Sequence, residues 1–266
     1  MSTLQSLDRA LNILEVISQE DNISLTDLSS KVGLNKATAF RIAKALKDNG
    51  YVKQLKNKKY SLTFKMFRLG NRVVQRFDFM NEAKRIITKL ANEVDRVIHL
   101  VIQDGSQILY IDKYTPLNSG KLMNVTKIGK RAPMYCTASG KAILANLPED
   151  EIRKIWNDTE IIKYTARTIV NYDTLLQDLK RIRKNGYSTE YEEYQLEVYC
   201  IGMPIHTSSG EIVGAISISI PLNDPNGKQY YIEKMKKCKE EISTIIKEWC
   251  YGSKRSLWNF KRKMFK

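Results

Sequence analysis

The chain has 266 residues, 42% hydrophobic and 27% charged, a globular balance that excludes disorder throughout and leaves room for one large or two modest domains. Its departure is a net charge of +15, which attracts polyanions and carries no information about fold. Residues 1–76 hold 14 Lys and Arg against 6 Asp and Glu, and residues 251–266 hold 6 against none, so the stretch between them is nearly neutral. Four cysteines, Cys136, Cys200, Cys238 and Cys250, lie far apart with no CxxC pair and no secretory sequence before them, which reads as free thiols in a cytoplasmic protein. His99 and His206 are not near them in sequence, so no metal-ligand spacing is present and no metal is expected. The longest apolar run, Ile212 to Pro221, is about half of the roughly 20 residues a membrane span needs, and no membrane partner is expected.

The first predicted helix, Ser6 to Gln19, has Ser6 as its N-cap and an apolar face of Leu7, Ala10, Leu11, Leu14 and Ile17, with surface left over to meet a second subunit. Ser24 with Asp27 three residues on forms a capping-box variant, and Leu25, Leu28 and Val32 recur at helical spacing until Gly33. Asn35 then caps a second helix whose buried stripe is Ala39, Ile42, Ala43 and Leu46, while Lys36, Thr38, Phe40, Arg41 and Lys44 point elsewhere. Two short helices joined by a glycine turn occur in many proteins. The same arrangement, with a basic and polar first turn on the second helix, also sets a recognition helix in a DNA major groove, and the basic charge clusters around it.

Tyr51 to Gln54 and Lys59 to Leu62 flank the loop Leu55 to Lys58 as a hairpin, placing Lys53, Lys56, Lys58 and Lys59 where a wing meets phosphate. A solvated charged turn is the bland reading of the same residues. Thr63 to Gln75 follows as a linking helix broken at Gly70, then an amphipathic helix from Asn81 to Asp95. Strands are predicted at Val97–Gln103, Gln107–Tyr114 and Leu122–Lys127, with helices from about Thr137 to Ala145, from Pro148, and from Tyr172 to Asn185 before Gly186. Tyr187–Tyr194, Val198–His206 and Glu211–Pro221 complete a sheet, and Asn226–Cys250 is a long closing helix. Strands in consecutive runs, with helices between groups, indicate an α+β chain built on an antiparallel sheet with flanking helices.

The segments SLDRALNILEVI, LTDLSSKVGLNKATAFRIAKALKDNGYV with YSLTFKMFRLG, and the pair PMYCTASGKAILANL and YSTEYEEYQLEVYCIGMPI…GAISISIP occur in this order in the IclR family of bacterial transcriptional regulators, which the chain resembles from about Leu4 to Glu248. The resemblance implies an N-terminal winged helix-turn-helix, mainly α (1–62), a linker helix (63–76) and a GAF-like effector domain (77–250), leaving a basic aromatic tail (251–266). The implied protein is a homo-oligomeric repressor or activator, a homodimer or dimer of dimers, that binds double-stranded promoter DNA and is modulated by a small-molecule effector. That effector is commonly an organic acid, and no cofactor is implied.

For the DNA contacts, Arg41, Lys44 and Lys53 are read as phosphate-binding, with Lys56, Lys58 and Lys59 at the wing. Lys36, Thr38 and Phe40, beside Asn35, are read as facing base edges, and Phe40 either contacts thymine methyls or packs. A two-fold dimer would read half-sites about 34–36 Å apart, hence a pseudo-palindrome. For the effector, the amides of Ala138 and Ser139 at a helix N-terminus suit a carboxylate. The resemblance adds Glu190, Cys200, Ser217 and Ser219, the two serines sharing one face of a strand. Taken singly, a solvated Glu, a core Cys and sheet-bonded serines are the ordinary readings. Departures from the family pattern are Glu190 where Asp is frequent, which would push its carboxylate further into the pocket, and Tyr135-Cys136 where His and a small residue are common. The tail, with Lys254, Arg255, Lys261, Arg262, Lys263 and Lys266 among aromatics, is either a disordered extension or an auxiliary contact to DNA or an anionic surface. The rival to a regulator is thiol enzymology at Cys136 and Cys200. Neither thiol has an acid-base partner beside it in sequence, and no catalytic residues are assigned.

Overall fold

The computed structural model describes residues 4–74, 79–116, 126–207 and 209–252, and the chain divides into two compact units, Met1–Phe77 and Asp78–Lys266. The first runs α1 (Gln5–Ser18), α2 (Leu25–Lys31), α3 (Lys36–Asp48), β1 (Val52–Gln54), β2 (Tyr60–Leu62) and α4 (Phe64–Val74). Its core is small: Ile13 and Ile17 of α1, Leu28 of α2, Ala43 of α3 and Val52 and Tyr60 of the hairpin. Helix α2 is held at its start by Ser24, whose Oγ accepts from the Asp27 amide at 3.1 Å and donates to the Asp27 carboxylate at 2.6 Å. Gly33, at φ +64°, turns the chain in a conformation that side chains with a Cβ rarely adopt. Asn35 then caps α3 by accepting from the Thr38 amide at 2.8 Å. The three-residue strands β1 and β2 pair antiparallel, with Lys58 at φ +63° in the tip of the wing.

Two local expectations change. Ser6 lies inside α1, not before it: the Leu4 carbonyl accepts from the Leu7 and Asp8 amides and the cap carries no side-chain bond. Gly70 does not break α4, because one glycine costs a helix only about 1 kcal/mol, less than the surrounding residues restore.

The second unit comprises α5 (Phe79–Val94), β3 (Val97–Asp104), β4 (Gln107–Tyr114), β5 (Arg131–Pro133), α6 (Ala138–Leu144), α7 (Glu149–Asn157), α8 (Tyr172–Asn185), β6 (Ser188–Tyr191), β7 (Val198–His206), β8 (Ile212–Pro221) and α9 (Lys228–Gly252). The six strands form one antiparallel sheet in the order β5-β4-β3-β8-β7-β6. Because successive side chains alternate across a strand, Ile216, Ile218 and Ile220 of β8 face one side with Ile201 and Met203 of β7, packing on α5 and α9. Ala215, Ser217 and Ser219 face the other side, where α6, α7 and α8 pack through Ile143, Leu144, Ile152, Leu175 and Leu179. The predicted strand at Leu122–Lys127 falls mostly on residues outside those described, as does the tail; β5 was not expected. The Tyr187–Tyr194 strand stops at Tyr191, where Glu192 at φ +54° and Glu197 at φ +64° bracket a tight loop.

Replacing Asn35 by Ala removes an acceptor at the start of α3 and is expected to cost about 1 kcal/mol. Amide exchange in α3 should quicken several-fold; unchanged exchange there would deny the cap any energetic weight.

Candidate functional site

In the first unit, Ala39 and Ala43 are buried while Ala37, Phe40, Arg41 and Lys44 stand exposed along one stripe of α3. Phe40 is 47% exposed, so it presents its ring outward and does not pack into the core. Lys36 is exposed in the first turn, and Thr38 lies half-buried at the flank of the stripe. The Asn35 side-chain oxygen is occupied by the cap. Ala37, on the outward stripe, has no side-chain chemistry that would have singled it out. Lys53, Lys56, Lys58 and Lys59 are all exposed on the wing, whose tip is closed by Leu55 and Lys59 backbone pairing at 2.8 Å. Two exposed surfaces of one small unit, a helix face and a hairpin, therefore carry cations and an outward aromatic ring.

In the second unit, the helix-packed face of the sheet lays out a polar floor. Ser217 stands opposite His99 on β3 and Gly202 on β7; one step along, Ser219 stands opposite Cys200, which stands opposite Glu190 on β6. The Cys200 Sγ lies 3.5 Å from the Ser219 Oγ. Ser217 is buried, and its hydroxyl has no hydrogen-bond partner among the described residues. His99 is buried with its Nε2 2.6 Å from the Thr126 hydroxyl, and burial, then Lys113, pushes its pKa down to about 3, so the ring is neutral.

Above this floor sits the turn into α6. Thr137 caps the helix by accepting from the Gly140 amide, leaving the Ala138 and Ser139 amides, both on buried residues, with no acceptor among the described residues. The turn is pressed onto the sheet: the Ser188 hydroxyl donates to the Ala138 carbonyl at 2.5 Å, and a Cβ on Gly202 would come 2.5 Å from that same oxygen. Gly202 is required by this close approach. The Arg183 guanidinium donates to the Ala145 carbonyl at 2.6 Å and holds the far end of α6.

Glu190 is buried, but its carboxylate does not simply reach further into the pocket, as the extra methylene had implied. Its Oε1 accepts from the Glu193 amide at 2.6 Å and the Tyr194 amide at 3.1 Å, folding half of the group back onto its own loop. Desolvation raises its pKa to about 7, against the lowering effect of those two amides. Beside it lies a cluster that sequence reasoning missed. Lys141, wholly buried in α6, reaches Glu193 Oε1 at 2.5 Å and Asp178 Oδ2 at 2.9 Å. Glu193 Oε2 is buried with no partner among the described residues. A lysine inside an otherwise apolar helical run was the available signal.

Cys136, Cys200 and Cys238 are free thiols. Burial pushes the Cys136 and Cys200 thiols well up, with nearby Glu190 adding to the effect, so neither is a thiolate near neutrality. His206 is bound to Asn146 at 3.0 Å. Among the described residues no group of three His, Cys, Asp or Glu could hold a metal ion, and no helix is long and apolar enough to cross a membrane.

Comparison with known proteins places both units. Residues 6–56 match the IclR helix-turn-helix domain, and residues 71–244 match the family described as bacterial transcriptional regulator IclR C-terminal. The HTH-type transcriptional regulator KdgR of Escherichia coli (strain K12) is 34% identical over 220 residues, 82% of this chain and 83% of that protein. XynR of the same organism, also an HTH-type transcriptional regulator, is 32% identical over 223 residues, 82% and 87% of the two. The crystal structure of the Thermotoga maritima IclR has a TM-score of 0.74 at 29% identity, covering 91% of this chain and 99% of that one. An IclR homologue from Microbacterium hydrocarbonoxydans complexed with 4-hydroxybenzoate reaches 0.81 at 18% identity, with coverage of 91% and 99%, a likeness of fold.

Replacing Lys141 by Met would leave two buried carboxylates facing each other without their ammonium. Losing one partner of a buried ion cluster costs about 3–5 kcal/mol, expected here as a fall in melting temperature of roughly 10 °C. A change under about 2 °C would mean that the cluster bears little of the unit's stability.

Proposed function

The chain belongs to the IclR family of bacterial transcriptional regulators, and from that premise we propose which of its residues hold DNA, which hold the effector, and what kind of molecule the effector is. As a member it is a DNA-binding transcriptional regulator with an effector-binding C-terminal domain. Phe40, Arg41 and Lys44 are the recognition-helix contacts, with Lys36 and Thr38 at the near end and Asn35 setting the start of the helix. Lys53, Lys56, Lys58 and Lys59 bind phosphate from the wing. Their shared exposure on one unit supports this assignment. Phosphate contacts position the protein, while side chains at base edges specify sequence.

The effector is a small organic acid held by Ala138, Ser139, Glu190, Cys200, Ser217 and Ser219. The observation that carries this reading is the pair of amides at Ala138 and Ser139, both on buried residues and without an acceptor among the described residues, pressed against the strand whose Gly202 stands opposite Ser217, since buried polar groups without partners are costly unless a ligand completes them. One family member of known structure is complexed with 4-hydroxybenzoate, itself a carboxylate. The domain binds and does not turn over: burial and the neighbouring Glu190 carboxyl hold both floor-side thiols protonated. No cofactor is required by this chemistry. The regulator acts as a homodimer or dimer of dimers. Leu4, Leu7 and Leu11 of the first helical turns and Phe64, Phe67 and Val73 of α4 are apolar and exposed, with Phe64 at 86%, and a second copy is the partner that would cover them.

Effector control follows from linkage: an acid that prefers one arrangement of the protein shifts promoter affinity by the ratio of its affinities for the two arrangements, typically 1–3 kcal/mol. Arg41→Ala is expected to weaken binding to all DNA sequences alike and to reduce the salt slope by about one, whereas Phe40→Ala changes preference at one base position. Gel shifts at fixed salt decide this, and parental binding by both variants would remove the face from consideration. In a thermal-shift screen of small carboxylates, the Ser217→Ala, Ser219→Ala double variant should lose most of the response while binding DNA as the parent does. An undiminished response would dissolve the pocket assignment.

A further inference from the structure

Beside the effector pocket two carboxyl groups meet one ammonium, and a third carboxyl stands by without a cation. Asp178 has cations on both oxygens, the Arg181 guanidinium at 2.9 Å from Oδ1 and Lys141 at 2.9 Å from Oδ2. Glu193 has Lys141 on Oε1 and nothing on its buried Oε2 among the described residues. Glu190 has two main-chain amides and no cation. The groups that face it from the neighbouring elements bring no positive charge either. Cys200 stands opposite on β7, Tyr110 approaches from β4, and Cys136 from the turn before α6; burial holds all three protonated and neutral. Lys141 of α6 is consumed by its two carboxylates.

Yet this wall adjoins the amides proposed to hold an anion. Ser188, on the same face of β6 two residues before Glu190, touches the Ala138 carbonyl, so the Glu190 backbone lies about 7 Å along the strand from the residue that clamps the anion-binding turn. An ionised Glu190 on this wall and a carboxylate held at the turn repel each other, the more so in a desolvated pocket. A proton removes the conflict, and it converts a carboxylate that can only accept into a carboxyl that can donate to the incoming anion.

We propose that the pocket takes up its effector anion together with one proton, carried by the Glu190–Glu193 carboxyl pair, so that promoter control by the effector strengthens as pH falls. This rests on the reading of the pocket as an anion site. The free pair is poised for it, since burial brings Glu190 to about 7 and raises Glu193 as well. Below neutrality the proton is already present and binding is pH-independent. Above it, each bound anion must recruit a proton, and affinity falls towards tenfold per pH unit.

The test uses the full-length protein and acetate, the simplest carboxylate and one that stays ionised from pH 6 to 8.5. Titrations at constant ionic strength should show affinity level near pH 6 and dropping about tenfold for each unit above neutrality. Calorimetry in two buffers of different ionisation enthalpy should count uptake approaching one proton per acetate at pH 8.5. In Glu190→Gln, whose side chain is neutral at every pH, the slope should vanish. Acetate binding that is flat with pH in the parent, or a slope retained in Glu190→Gln, would overturn the proposal while leaving the anion site standing. Absence of acetate binding at every pH would overturn both.

Discussion

The effector unit depends on one buried ammonium. Lys141 sits in a helix with every residue buried, and its charge is tolerable only because Glu193 and Asp178 meet it at hydrogen-bonding distance. Those partners come from different places in the chain, 52 and 37 residues away, so satisfying the ion joins α6 to α8 and to the loop after β6. That loop in turn supplies the amides that hold Glu190. The polar groups on this face of the sheet are thus set by an interaction in which they take no part. Ser188 and Gly202 work in the same sense from below, one bonding the Ala138 carbonyl and the other leaving space for it.

The N-terminal unit follows a different logic. Its core is a handful of side chains, all aliphatic but Tyr60, and two very short strands, too little to fix surface groups by packing alone. Local devices substitute for bulk: two side-chain N-caps, a left-handed glycine between the helices, and Thr63 Oγ1 donating to the Gly50 carbonyl at 2.6 Å to tie α4 to the end of α3. Such devices are encoded within a few residues of where they act. This is why the helix-turn-helix could be read from the sequence almost to its boundaries.

The same distinction governs what was legible elsewhere. Strand β7, strand β4 and helix α8 begin and end where periodicity and flanking residues place them, and the family pattern drew attention to Glu190, Cys200, Ser217 and Ser219, which the sheet register does bring onto one face. Strand β5 escaped because three residues ending in proline carry no period. Ser6 misled because a good capping residue was mistaken for the cap itself, when the backbone had already entered the helix. The Lys141 cluster, the Ser188 clamp and the backward fold of Glu190 were not legible because each is defined by a partner far away or by a loop geometry that no spacing rule describes. Fold class and the sharing of one sheet face are written in pattern; the protonation and orientation of the groups on that face are written in contacts.

The strict alternation along β8 has a consequence for how such a sensor changes over generations. Ile216, Ile218 and Ile220 serve the core against α5 and α9, and Ser217 and Ser219, interleaved between them, do not. Substitutions at the interleaved positions change the chemistry of one face without disturbing the packing on the other. Chemical preference and fold integrity are therefore nearly independent variables in this strand. Under the proposed reading of the serine face, a lineage built on it can change the molecule it answers to through single replacements that leave the packing on α5 and α9 in place.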